Sequence, residues 1–305
     1  MKLIIRYIRE YFYDIDKAVL LLVSVYTGLL IIWNYQYNIE TDIREYKTFS
    51  SAFISRYFIF LAAFVIPYLL YQLFEKKRYL LKPGFLILLF LAPAIFALKA
   101  TLNIAVNFSD DARQNDYWNH VIYWPLTVII IIILLLLIWK INDSDQPFYG
   151  IKTSGVNWKP YWLILLIMLP LIAAASTQPD FLAVYPKLKL ITGDDGNTWI
   201  SWWHKLLFEI SYGSDFIAIE LFFRGFLILA FIKWAGKDAI LPMACFYCTI
   251  HFGKPLGECI SSYFGGILLG IVVYNTRSIL GGLLIHLGIA WLMELGGYFG
   301  KMLSN

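Results

Sequence analysis

Five side chains in the last third of the chain have the types needed for acid–base or metal chemistry: Glu220, His251, Glu258, His286 and Glu294. All lie within or beside strongly apolar runs. A charge at the centre of a bilayer costs roughly 2.5–3.5 kcal/mol on insertion scales, so such groups face a protein interior or a wet cavity and mark functional sites. An imidazole with a carboxylate can activate water. Two imidazoles with one or two carboxylates also make a workable set for Zn²⁺. No HExxH is present, so the groups must be supplied by separate helices.

The local spacing says more. Glu220 and Arg224 are four residues apart, on one helix face and in the favourable order for an ion pair. Arg224 is expected to neutralise Glu220 structurally, and Glu220 also suits a role in orienting water. His251 closes the run Phe246-Tyr247-Cys248-Thr249-Ile250-His251, after which Gly253, Pro255 and Gly257 interrupt regular helix. Irregular backbone at membrane depth survives where it is buried in protein or lines a cavity, so His251 is expected to look into such a space. Glu258 follows directly. Glu294 lies eight residues after His286, on the same helical face about two turns on. Glu220, Glu258, His251 and His286 are thus the candidate catalytic groups. His251, His286 and Glu294 are the candidate ligands for Zn²⁺.

The elements that must position these groups are membrane helices. The 305 residues are 60% hydrophobic, 18% aromatic and only 15% charged, with a mean hydropathy of +0.65. A soluble domain is usually about 25% charged. The pattern predicts an all-α fold, a polytopic membrane helix bundle with about eight or nine transmembrane helices of about 20 residues each. Expected spans lie near 18–33, 53–74, 85–98, 121–139, 161–175, 216–234, 239–252, 259–274 and 279–299. Pro93 breaks the third and Pro170 kinks the fifth. A polar segment, 176–197, separates 1–177, N-terminal membrane helices of unassigned role, from a C-terminal core at 178–305. Residues 199–209, with Trp199, Trp202, Trp203 and His204, read as an interfacial helix.

The net charge of +4 sits mainly in short loops. It reads as a topology signal with a cytoplasmic N-terminus, and no nucleic-acid partner is expected. The N-terminal stretch is amphipathic and lacks a cleavable-signal pattern. Cys245 and Cys248 form a CxxC, a spacing used in redox or metal chemistry. Its apolar context makes all three cysteines, Cys259 included, buried small hydrophobes by expectation. Ser262, Gly266 and Gly270 recur every four residues and suit close helix packing in lipid.

Together, Glu220-Leu221-Phe222-Phe223-Arg224-Gly225, then Tyr247-xxx-His251, then His286 resemble the CPBP family, the CAAX-protease and bacteriocin-processing (Abi) intramembrane proteases. The resemblance covers about 216–294. It implies endoproteolysis of a lipidated or membrane-bound protein or peptide, with water activated by a glutamate and a histidine and a metal usually assigned. The family pattern has two adjacent glutamates, a phenylalanine four before the first histidine, and an Asn or Asp four after the last. Here these positions hold Ile219 with Glu220, Tyr247, and Ala290. Glu258 and Glu294 are the candidates to stand in. The expectation is an intramembrane endopeptidase in the lipid bilayer of the cell membrane, with Glu220, His251 and His286 reaching one cavity. The alternative is a catalytically silent relative that binds or regulates in the membrane. A small transporter is a third class, for which no half-chain symmetry argues.

Overall fold

The computed structural model describes residues 2–152, 156–192 and 199–304. Residues 193–197 of the polar segment lie outside the described residues. The helices in chain order are α1 (Lys2–Asp14), α2 (Lys17–Tyr37), α3 (Ile39–Arg44), α4 (Phe49–Phe74), α5 (Pro83–Thr101), α6 (Ala112–Asn142) and α7 (Lys159–Ala175). There follow α8 (Pro179–Leu182), α9 (Lys187–Thr192), α10 (Trp202–Glu220), α11 (Ile232–Ala235), α12 (Ile240–Thr249), α13 (Leu256–Thr276) and α14 (Leu280–Ser304). No strand occurs among the described residues. The fold is an all-α membrane helix bundle.

Six of these helices are long and apolar enough to cross a membrane: α2, α4, α5, α6, α13 and α14. The sequence suggests eight or nine spans because three further apolar runs are present. The structure winds them differently. α12 has 10 residues, short of the ~20 that span hydrocarbon, and α7 with 17 is at the lower edge of the spanning range. The run at 216–234 is not a separate helix. α10 starts at Trp202 and passes directly into a π-helical winding, Leu221–Ala230. Helix α5 also continues through Pro93.

Helix ends follow from local chemistry. The Asp16 carboxylate accepts from the Val19 N–H at the start of α2, and the Thr48 hydroxyl does the same for Ser51 at the start of α4. Pro83 opens α5, where its missing N–H costs nothing.

Two compact units are present, and both draw on segments before and after residue 177. In the first (1–102, 134–154 and 221–279), α12 packs against α13, α4 and α2. Every residue of α12 and of the π-helical stretch is buried, as expected of helices apolar all round. Phe60, Phe64, Phe96, Phe222, Phe223 and Phe246 interlock around them with ring centroids 4.8–6.1 Å apart. The small face of α13 is used as its spacing predicts: a Cβ on Gly266 would lie 3.3 Å from the Ala244 backbone, and one on Gly270 2.8 Å from Met243. In the second unit (103–133, 155–220 and 280–305), α14 packs on α7 and α10. Its core joins Tyr117, Val121, Trp124, Leu188, Phe208, Tyr212, Phe216 and Ala290.

Candidate active site

The second unit brings two of the predicted groups into direct contact. Glu220 ends α10, and His286 lies in the second turn of α14. His286 Nδ1 is 3.0 Å from Glu220 Oε1. Glu220 is fully buried and the His286 side chain is 14% exposed. An ionised carboxylate only accepts, so Nδ1 carries the hydrogen of this bond and Nε2 is left as the basic nitrogen. The Phe216 ring, one turn before Glu220, stands edge-on to the imidazole at 4.7 Å between centroids. A carboxylate and an aromatic edge therefore hold the ring, the arrangement by which a carboxylate sets a histidine's tautomer and strengthens it as a base.

Gly282 makes the pair possible. A Cβ there would sit 2.7 Å from Glu220 Oε2, so any side chain would displace the carboxylate. Gly282→Ala is expected to cost on the order of 10²-fold in any activity that uses the pair. The helix itself gains from alanine, roughly 0.5–1 kcal/mol, so the thermal midpoint should change little. A kinetic loss matched by an equal loss of fold would contradict this.

In the first unit Arg224 is 1% exposed, and its guanidinium lies 3.8 Å from the centre of the Tyr247 ring. A desolvated cation over an aromatic face contributes about 2 kcal/mol. Tyr247 also stacks edge-on against His251, at 4.8 Å between centroids. His251 Nδ1 lies 3.1 Å from the Tyr247 carbonyl; the carbonyl accepts, so here too Nε2 is the basic nitrogen. The turn after α12 is tied down from α2. The Asn34 amide donates to the Phe252 carbonyl at 3.0 Å and the Tyr35 hydroxyl to the Lys254 carbonyl at 2.6 Å. Arg44 packs on Gly253, where any Cβ would run into its guanidinium. The break that sequence reading locates after His251 is thus a fastened turn, with its backbone groups satisfied by side chains.

The candidate stand-ins have other neighbours. Glu258, in the first turn of α13, lies 3.6 Å from Lys254 Nζ, and a carboxylate is favoured there by the helix N-terminus. Glu294 accepts from the Lys187 backbone N–H at 2.9 Å, which caps α9. Glu209, outside the six membrane-length helices, is its second neighbour. Burial, and then the nearby Glu294 charge, push the Glu209 carboxyl up to about 8. Below about pH 4.5 folded and unfolded chains both hold this proton. As pH rises toward 8 the unfolded chain releases it first, so stability is lost across that interval. The thermal midpoint is expected to fall between pH 5 and 9, and Glu209→Gln should flatten that fall; parallel profiles for both proteins would refute the assignment.

Two family positions turn out to be apolar in context as well as in identity. Ala290 belongs to the core cluster of the second unit, and Ile219 packs against the same cluster. Among the described residues no three His, Cys, Asp or Glu side chains converge on a point where a metal ion could sit. A catalytic zinc takes three protein ligands. His286 and Glu220 would supply two of these. Sequence reading singles out Glu220 and His286, and the structure sets them 3.0 Å apart. It misses the positioning residues Phe216 and Gly282, whose only signal is their distance from Glu220 and His286 along the helix.

Residues 201–292 match the family model described as Type II CAAX prenyl endopeptidase Rce1-like. No curated protein and no solved structure matches the chain. The matched segment contains Glu220, Arg224, Tyr247, His251 and His286 in the order read from the sequence. Over residues 201–292, less than a third of the chain, the sequence is therefore similar to the CAAX-protease (CPBP) family of intramembrane proteases.

Proposed function

We propose that this protein is an intramembrane endopeptidase that cleaves membrane-associated proteins or peptides with a water activated by the His286–Glu220 pair. The carrying observation is the 3.0 Å bond between His286 Nδ1 and a fully buried Glu220 carboxylate. His286 Nε2 takes a proton from water, and the hydroxide attacks the scissile carbonyl. The imidazolium so formed is stabilised by Glu220, then returns its proton to the leaving amine. Arg224 holds Tyr247 and Tyr247 braces His251, which the family resemblance makes a further candidate catalytic histidine. The substrate class follows from the family name: the C-terminal region of a prenylated or otherwise membrane-held protein, presented in the cell membrane.

A second reading has its own observation. Ile219 and Ala290 pack in apolar core, at positions where the family carries polar groups. A silent relative that binds such C-termini without cleaving them would look the same there. The test is cleavage of prenylated and unprenylated C-terminal peptides by the purified full chain in liposomes, with metal content measured on the same sample. Cleavage that survives chelation and disappears in His251→Ala and in His286→Ala supports the peptidase. Saturable peptide binding with no product establishes the silent relative.

A further inference from the structure

Outside this chemistry, one pair of nucleophiles is unaccounted for. The CxxC spacing suggests Cys245 as the neighbour of Cys248. The structure instead sets Cys248 against Cys259: the two sulfurs are 3.8 Å apart. Each sulfur also lies against the other residue's backbone carbonyl, at 3.4 Å for Cys248 and 3.8 Å for Cys259. All three cysteines are free and buried. Cys248 is in the last turn of α12 and Cys259 in the first turn of α13. Between them runs the turn that carries His251, already fastened to Asn34 and Tyr35.

We propose that Cys248 and Cys259 are an oxidisable pair whose disulfide locks the two ends of the His251 turn. This holds whether or not the chain is a peptidase. The sulfurs must close from 3.8 Å to about 2.05 Å. Two S–H bonds break and one S–S bond forms. Two electrons and two protons pass to a small uncharged acceptor such as a membrane quinone, which leaves as the quinol. Because both thiols are shielded from water, charged oxidants are excluded and a lipid-soluble one is selected. Once one sulfur is activated the second attack is intramolecular, which favours this pairing over any encounter between chains.

The experiment uses the full chain in liposomes, treated with diamide, an uncharged acceptor of two electrons and two protons. The protein is then denatured, its remaining thiols are blocked, and the linked peptides are mapped by mass spectrometry. The expected result is a fall from three thiols to one and a Cys248–Cys259 cross-link. Amide exchange across 250–254 should slow by roughly tenfold, since a tethered segment opens less often. Cys245→Ser should form the same link, and Cys259→Ser should form none. Should Cys259→Ser fail to fold, the wild-type map alone decides. Three thiols after prolonged treatment, or a link involving Cys245, overturns the proposal. A correct link with unchanged exchange overturns the lock.

Discussion

Glu220→Gln is expected to lower peptide cleavage by about 10³-fold, within the 10²–10⁴-fold range of general acid–base catalysis. The amide keeps the carboxylate's shape, and its oxygen can still accept from His286 Nδ1. What it loses is the negative charge that stabilises the imidazolium once His286 has taken the proton of water. Stability should fall by roughly 1–3 kcal/mol, because the amide brings buried N–H donors to the Oε2 position that the carboxylate lacked. His286→Ala should be equally inactive and less stable. It removes the imidazole partner of a fully buried carboxylate, and breaking a buried charged pair costs roughly 3–5 kcal/mol. The two variants therefore separate chemistry from fold. Their kcat values and thermal midpoints in detergent are the measurements. A Glu220→Gln protein that cleaves at the parent rate would remove Glu220 from the mechanism.

The second large effect is on the fold. Arg224→Ala should destabilise the chain by roughly 3–5 kcal/mol, from the lost stack, about 2 kcal/mol, and the cavity left by a large buried side chain. Arg224 is among the largest fully buried side chains, and it covers the face of Tyr247. Tyr247 in turn braces His251 through its ring and its carbonyl. Arg224→Lys should recover only part of the loss. A lysine carries the charge but not the flat guanidinium that stacks on an aromatic ring. Equal thermal midpoints for Arg224→Lys and the parent would show that charge alone matters there. Full stability in Arg224→Ala would show that the stack holds nothing.

Much of this protein is legible in one dimension. Membrane residence follows from composition, because apolar runs near 20 residues have few other stable fates. The all-α class follows with it. The small face of α13 can be read from Ser262, Gly266 and Gly270, since a period of four marks one helix face. Glu220, Arg224, His251 and His286 stand out because each is costly in lipid.

Partnership is a different matter. Glu294 shares a face with His286, yet it caps α9 at Lys187, while His286 turns to Glu220, 66 residues away in sequence. Cys248 has a CxxC neighbour, yet its sulfur meets Cys259. Helical spacing reports which residues share a face of one helix. It carries no information on which second helix packs there, and both contacts join residues on different helices. Helix length is settled in a related way: α12 is as apolar as a span but only ten residues long, and it ends at the turn that α2 fastens. Composition and period thus determined that this chain is a helical membrane protein with buried ionisable groups. Only the packing of helices against one another decided that a carboxylate on α10 and an imidazole on α14 form the pair, because that choice is made by side-chain fit between distant segments.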